Sequence, residues 1–101
     1  MEMKEIHANA AYKVLSVTLA KGEGMARHYA TSDAFLVISE GKGILKLPER
    51  EVELQPGTTL TIPANEPHSM HVLEDLAATV VLASDAHIKF TDRVAAEKGK
   101  V

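Results

Sequence analysis

The sequence predicts an all-β fold, a sandwich or barrel built from about seven to nine short strands. Two observations predict it. Short runs of residues either alternate apolar and polar side chains or are almost continuously apolar, as in strands with one or two buried faces. Glycine, proline, asparagine and aspartate interrupt these runs at regular intervals, which is typical of tight turns between neighbouring strands.

The strands predicted up to residue 39 are separated by short polar breaks. These strands are a short segment around Ile6 and His7, then residues 12–20, 25–30 and 34–39. The breaks lie at 9–11, 21–24 and 31–33. Residues 34–39, A-F-L-V-I-S, are almost continuously apolar, so we expect this strand to be central in the fold.

The same pattern continues to residue 83. We predict a glycine-containing hairpin loop at 40–43, a strand at 44–47, a turn at 48–50 and an alternating strand at 51–54. Strands at 68–73 and 77–83 follow, separated by an acidic turn at 74–75. Glu49, Glu51 and Glu53 share one face of the predicted hairpin, which is typical of a solvated β surface.

Only the C-terminal tail departs from the strand pattern. Residues 91–99 contain a candidate N-cap, alanines and a glycine stop, which predicts about two turns of helix. A disordered end is the alternative, because chain termini are commonly poorly ordered. A third interpretation is that the tail docks on a partner subunit.

The stretch from Gly57 to His68 places one imidazole at the edge of the sheet. Leu60 and Ile62 alternate with threonines as a half-buried strand does, and Pro63 ends that strand because it has no N–H to donate. Asn65 is able to adopt the left-handed conformation that a second tight turn requires. His68 then begins the next strand.

Composition excludes several classes of function. The chain has 101 residues, of which 46% are hydrophobic and 25% charged, and its net charge is −3. These values predict a soluble globular protein with one domain over residues 1–101. No basic stripe with interleaved aromatic residues is present and tryptophan is absent, so we expect no nucleic-acid partner. Without cysteine there is no disulfide, no thiolate nucleophile and no sulfur ligand for a metal.

Nothing in the sequence predicts association with a membrane. The N-terminal residues lack a basic lead followed by an apolar segment. The longest apolar run, 76–83, is short and is interrupted by Thr79. A cytoplasmic location is therefore the default expectation.

Two motifs resemble those of the cupin superfamily and together span residues 22–72. The first, at 22–41, keeps the family's spacing throughout and consists of Gly22, His28, Ala30, Ala34 and Gly41. The second, at 57–72, contains Gly57, Pro63, Asn65 and His68. The segment between them is similar to the hairpin that joins the two motifs in the family. The resemblance implies a jelly-roll barrel, commonly a homodimer, with a pocket at its mouth.

In metal-dependent cupins the pocket holds one divalent ion on three histidines and one glutamate. Here His28 stands at the first histidine position and His68 at the last, whereas Ala30 and Ala34 replace the second histidine and the glutamate. The resemblance therefore implies a ligand pocket that includes His28, Ala30, Ala34, His68 and Met70. No resident cofactor is expected; a divalent ion, Zn, Ni, Mn or Fe, held on His28 and His68 is the alternative.

Several other side chains are candidates with a simpler structural alternative. Asp33 adjoins the vacated glutamate position and would turn inward through a bulge, or else would be a solvated carboxylate that caps Thr31 or Ser32. His71 is an odd number of residues from His68 and should face away from the pocket. His7 and His87 lie outside both motifs. Four further residues either form the apolar walls of the pocket or only pack in the core: Met25, Phe35, Met70 and Val72.

Three functions follow as hypotheses. The preferred one is a cupin that binds or senses an unknown small molecule, with His28 and His68 as polar anchors in an apolar cavity. The second is a metal-dependent enzyme, of dioxygenase or isomerase type, with the ion acting as a Lewis acid on the two histidines. The third is a homodimer that serves as a scaffold.

Overall fold

The computed structural model of the protein describes residues 1–91, which form eight β-strands and contain no helix. Every strand pair is antiparallel. The predicted helix or disordered end lies outside the described residues, apart from Thr91. Across residues 1–91 there is no helix of a length and hydropathy suited to crossing a bilayer.

The strands are short except for two. They are β1 (Glu2–Ala8), β2 (Tyr12–Leu19), β3 (Gly24–Ala30), β4 (Ala34–Leu47), β5 (Arg50–Leu54), β6 (Thr59–Ile62), β7 (His68–Ala83) and β8 (Ile88–Phe90). Strands β4 and β7 have 14 and 16 residues and pair with each other along most of their length. They form the spine of the fold.

The shorter strands divide this spine into two regions. The first half-sheet has the order β1-β2-β7-β4-β6 and uses residues 34–40 of β4 with 76–83 of β7. The second half-sheet has the order β8-β3-β7-β4-β5 and uses residues 43–47 with 68–72. Two half-sheets that share their central strands form the curled, jelly-roll arrangement that the sequence predicts.

The predicted loop at 40–43 and the predicted turn at 74–75 are wrong, because both lie within continuous strands. The β4–β7 register shifts three times between Ile38 and Gly43, so the chain passes the corner between the half-sheets through bulges. Gly41 has a φ of 85°, and a Cβ there would overlap the carbonyl oxygen of Asp75. The glycines that suggested a hairpin loop instead allow two strands to bend together.

Strand β8 was not predicted from the sequence. It has three residues and pairs with β3, with Phe90 opposite His28 and Ile88 opposite Ala30. So short a strand has no alternation pattern to detect, and its neighbour in the sheet is about sixty residues away in the chain. Its position makes Phe90 a neighbour of the predicted pocket.

The core fills the space enclosed by the two half-sheets. Buried and less buried residues alternate along β2 and the first part of β4, as the two faces of a strand require. The largest fully buried side chains are Ile38, Leu45, Leu54, Ile62 and Val72. Val72, the last residue of the second motif, is therefore a core residue.

Candidate functional site

The connection between β6 and β7 is held in place by the segment before β4. Asn65 has a φ of 67°, which confirms the left-handed turn predicted there. Its backbone N–H donates to the carbonyl oxygen of Ala30 at 2.8 Å, and the N–H of Ala64 donates to Oδ1 of Asp33 at 2.9 Å. These two bonds fix the turn from which His68 enters β7.

The structure brings the two motif histidines together. His28 lies opposite His68 in the β3–β7 register, and their ring centroids are 4.2 Å apart at an interplanar angle of 61°. The ring of Phe90 in β8 also contacts the His28 ring, with 5.1 Å between the two ring centroids. Both histidines are buried, with 6% and 8% of their surface exposed. The expected convergence of the two imidazoles is therefore observed.

Backbone carbonyl groups set the tautomer of both rings. Nδ1 of His28 lies 2.7 Å from the carbonyl oxygen of Ala26, and Nδ1 of His68 lies 3.0 Å from that of Glu66. A carbonyl oxygen only accepts, so each Nδ1 is the protonated, donating nitrogen. In a neutral imidazole the proton-free lone pair is then on Nε2. The main chain thus fixes the orientation of both rings, with Nε2 as the acceptor nitrogen of each.

Burial lowers the pKa of the His68 imidazole below its ordinary value of 6.5, because a charged ring is poorly solvated there. The hydrogen bond to the Glu66 carbonyl and the nearby Glu66 carboxylate both act in the opposite direction but do not outweigh burial. His68 is therefore neutral at physiological pH. A neutral ring retains the lone pair that a ligand donor or a metal would use.

A cavity of about 60 Å³ lies next to the two rings inside the barrel. Among the lining residues that belong to residues 1–91, His28 and His68 are the only ones with polar side chains, and the others are apolar. The predicted pocket residues Ala30, Ala34 and Met70 all line it, as does Met25. That these residues bind a ligand stays a prediction, but the structure does bring them to one space.

Two expected wall residues are not part of this cavity. Phe35 faces outward with 42% of its surface exposed, because it is one residue from the inward-facing Ala34. Val72 is buried in the core without lining the cavity. Sequence reasoning also missed Met3 and Ile88, which do line it. No local sequence pattern identifies either residue, because each reaches the cavity only through the pairing of β1 with β2 or of β8 with β3.

The donor set does not fit a resident metal ion held by three or four protein ligands. Ala30 and Ala34 are buried at the positions of the second histidine and the glutamate, and their side chains carry no donor atom. Within residues 1–91 no three histidine or carboxylate side chains are close enough to form a metal cluster. Two imidazoles would leave most of a divalent ion's coordination to water or to a ligand.

The remaining candidates have structural roles. Asp33 is exposed, and its carboxylate accepts a hydrogen bond from the backbone N–H of Ala64. The expectation that it caps Thr31 or Ser32 is therefore wrong, because its partner is a different residue. It serves the turn that positions His68. His71 is exposed, as predicted from its odd spacing. His7 is exposed beside the Tyr12 ring at 5.8 Å, and His87 is also exposed.

A second recess, of about 300 Å³, lies on the outer side of His68. It is lined by Arg27, Lys46, Leu47, Pro48, Pro67, His68 and Ser69. His68 is the one residue shared with the inner cavity. His68 therefore lines both the apolar cavity and a recess that also has polar lining residues.

Comparison with solved structures identifies many chains of the same fold. One is a cupin superfamily protein from Desulfitobacterium hafniense, with a TM-score of 0.76 and 15% identity over 83% of this chain and 77% of that one. Another is an RmlC-like cupin with a double-stranded β-helix fold from Methanocaldococcus jannaschii, with a TM-score of 0.74 and 22% identity over 82% and 79%. Identities this low show the fold alone.

An enzyme is also among these structures. The DMSP lyase DddQ from Ruegeria pomeroyi has a TM-score of 0.76 and 17% identity over 82% of this chain, which spans only 44% of the lyase. A search of curated proteins finds no sequence relative. The family model for the cupin domain, however, matches residues 15–84. That match covers both histidine motifs and both spine strands, and it shows that this chain belongs to the cupin family.

Proposed function

We propose that this cupin binds a small, largely apolar molecule that donates a hydrogen bond to the His28 and His68 pair. The observation that carries the proposal is the contrast within the cavity, where the described part of the chain contributes two buried imidazoles as the only polar side chains among apolar walls. Ligand sites commonly combine an apolar lining with a few well-placed polar groups that fix orientation.

The tautomers specify the chemistry of the ligand. Because the Nδ1–H of each ring donates to a backbone carbonyl, the acceptor that His68 offers to a ligand is its Nε2. Suitable partners are a hydroxyl, an N–H or a protonated acid. An ionised carboxylate is a poor partner, because it would lose its hydration in an apolar cavity without gaining a donor there.

The cavity also limits the size of the ligand. At about 60 Å³ it is well below the roughly 300–1,000 Å³ of sites for drug-sized molecules. By the same measure one water needs about 10–15 Å³, so the space accepts only a few heavy atoms. A larger ligand would require movement of Met3 or Met70, whose unbranched side chains are adaptable.

A matched pair of probes tests the proposal. Pyrrole and furan are rings of the same size, but only pyrrole carries an N–H donor. We expect NMR titration to show that pyrrole binds about tenfold more tightly than furan, the effect of about one net hydrogen bond. The preference should disappear in the His28→Ala, His68→Ala double variant. Equal binding of the two probes, or a preference that survives in the double variant, would contradict the proposal.

The competing function is a metal-dependent enzyme, of dioxygenase or isomerase type, in which an ion is held by the same two rings. The observation that favours it is the tautomer, since metal-bound histidines usually donate their other N–H to a carbonyl or carboxylate. Elemental analysis after chelation and reloading with Zn(II), Ni(II), Mn(II) or Fe(II) separates the two functions. About one ion per wild-type chain, lost in the double variant, would support the enzyme and defeat the binding module.

A further inference from the structure

We propose that the recess on the outer side of His68 binds a small oxyanion, a phosphate or a carboxylate group. This outer recess has a volume of about 300 Å³, and its lining includes two cationic residues, Arg27 and Lys46, and the hydroxyl-bearing Ser69. The inner cavity has no lysine or arginine among its described lining residues. An oxyanion site here would be a second site, in addition to the one for an apolar molecule inside the barrel.

Strand pairing brings Lys46 and Ser69 together on the outer face. Lys46 of β4 lies opposite Ser69 of β7 in the antiparallel register. Side chains directly opposite each other in such a pair have Cβ atoms about 5 Å apart. Lys46 lies between the buried Leu45 and Leu47, and Ser69 follows the buried His68, so both residues point away from the core. An ammonium and a hydroxyl therefore share one side of the outer recess.

A β-bulge in β3 adds Arg27 from the other side. The β3–β7 register shifts between Met25 and His28, so residues 26–27 together oppose the single residue Ser69. Met25 and His28 are both buried, whereas residues 26–27 are both exposed. The extra residue therefore turns His28 into the cavity and at the same time places Arg27 outside, across from Ser69.

Within residues 1–91 no carboxylate is positioned to occupy these donors. The residues of this range that line the outer recess include no aspartate or glutamate. The Lys46 ammonium forms no ion pair with them either, although Glu51 lies opposite it on β5. A guanidinium carries five N–H donors, so Arg27 has donors for a ligand in addition to those that its other contacts use.

The rim of the outer recess is built from rigid connections. Pro48 lies in the turn between β4 and β5, and Pro67 directly precedes β7, so the backbone φ is fixed at both positions. Nη2 of Arg50 lies 3.7 Å from Oε1 of Glu66, and this ion pair links the start of β5 to the connection that leads into β7. A rim that is ordered before binding lowers the entropy that a ligand must overcome.

The three groups match the chemistry of an oxyanion. Hydrogen bonds from a guanidinium or an ammonium to a carboxylate or phosphate are about twice as strong as those between neutral groups. The planar fork of arginine also fits two oxygens of either group. At about 300 Å³ the outer recess lies at the lower end of the roughly 300–1,000 Å³ of small-molecule sites, which suits a small ion or the acidic group of a small molecule.

The experiment is an NMR titration of the full chain with sodium phosphate and, separately, with sodium acetate. Sodium chloride at matched ionic strength gives the baseline. We expect saturable shifts in the signals of Ser69 and His68. Lys46→Met keeps the apolar stem of the side chain and should weaken binding at least about tenfold, the effect of one charge-assisted hydrogen bond. Lys42→Met is the control, since it removes the same charge from the same strand outside the outer recess.

A second variant, Ser69→Ala, should weaken binding about fivefold through the loss of a neutral hydrogen bond. Saturable binding of phosphate alone or of acetate alone would support the site and identify which oxyanion it takes. Shifts that chloride reproduces would overturn the proposal, as would unchanged affinity in Lys46→Met or an equal loss in Lys42→Met. The comparison of pyrrole with furan probes the inner cavity, so either site can fail its test while the other passes.

Discussion

The two half-sheets share β4 and β7, yet their outer faces differ in chemistry. In the first, the outward residues of the shared strands include Phe35, Val37 and Val81, with no charge between them. In the second, Lys46 lies opposite Ser69 on one side and Glu51 on the other. The same strand pair therefore carries charged outward residues at one end and uncharged ones at the other.

The inner faces differ as well. The buried histidine pair lies in the second half-sheet, where β3 pairs with β7, while inward positions of the first contribute apolar walls such as Leu36 and Val80. The region with the site chemistry is thus the one with the solvated exterior.

The largest expected effect comes from breaking the corner that joins the half-sheets. Gly41→Ala should destabilise the protein by about 3 kcal/mol, because the residue has a positive φ and its Cβ would overlap the Asp75 backbone. Gly22→Ala is the control, since Gly22 has a φ of 88° but open space around its Cβ position. That variant should lose only about 1–2 kcal/mol of backbone strain. Equal losses in urea unfolding would show that the corner is not tightly packed.

A smaller effect is expected at the connection that leads from the first half-sheet to His68. Asp33→Ala removes the acceptor of the Ala64 N–H and should cost about 1 kcal/mol. It should also shift the NMR signals of His68, because the turn that positions this ring is loosened. Asp85→Ala, at another exposed aspartate, should change neither. Unchanged His68 signals would exclude the positioning role of Asp33.

The second half-sheet should make stability depend on pH. Burial lowers the pKa of His68 below 6.5, so below that pH the unfolded chain binds a proton at this position more readily than the folded protein does. The contribution to stability is complete above about pH 6.5 and is lost as the pH falls through the lower folded pKa. We expect the urea midpoint to decline in this window, and less steeply in His68→Gln. Identical slopes would contradict burial as the cause.

The smallest effect is expected among the exposed charges. The Lys42 ammonium is 3.8 Å from the Glu74 carboxylate, and both side chains are more than half exposed. Lys42→Ala should therefore change the free energy of unfolding by less than about 0.5 kcal/mol. It should also leave the oligomeric state unaltered. A larger loss of stability in unfolding experiments would show that this ion pair contributes more to the free energy of unfolding than an exposed pair usually does.

Several features could be predicted from residues close together in the sequence. Asn65 takes the left-handed turn, and Pro63 follows the end of β6. The outward orientation of Phe35 was also predictable, because Phe35 is one residue from the inward-facing Ala34; the expectation that it lines the pocket was wrong. The motif spacing also led correctly to the cupin family and to the meeting of His28 with His68. The turn, the strand end and the orientation of Phe35 depend on local backbone chemistry or on the two-residue period of a strand, whereas the meeting of the two histidines was implied by the family resemblance.

By itself the sequence determined most of the turns, which residues alternate and which two imidazoles share a motif pattern. The tertiary structure decided that residues 40–43 bend within a strand, that β8 exists beside His28, and that Met3 and Ile88 close the cavity. The physical reason is range. A turn is set by the conformations open to a few neighbouring residues, whereas a bulge or a cavity wall depends on what distant strands place opposite them, as Asp75 does for Gly41.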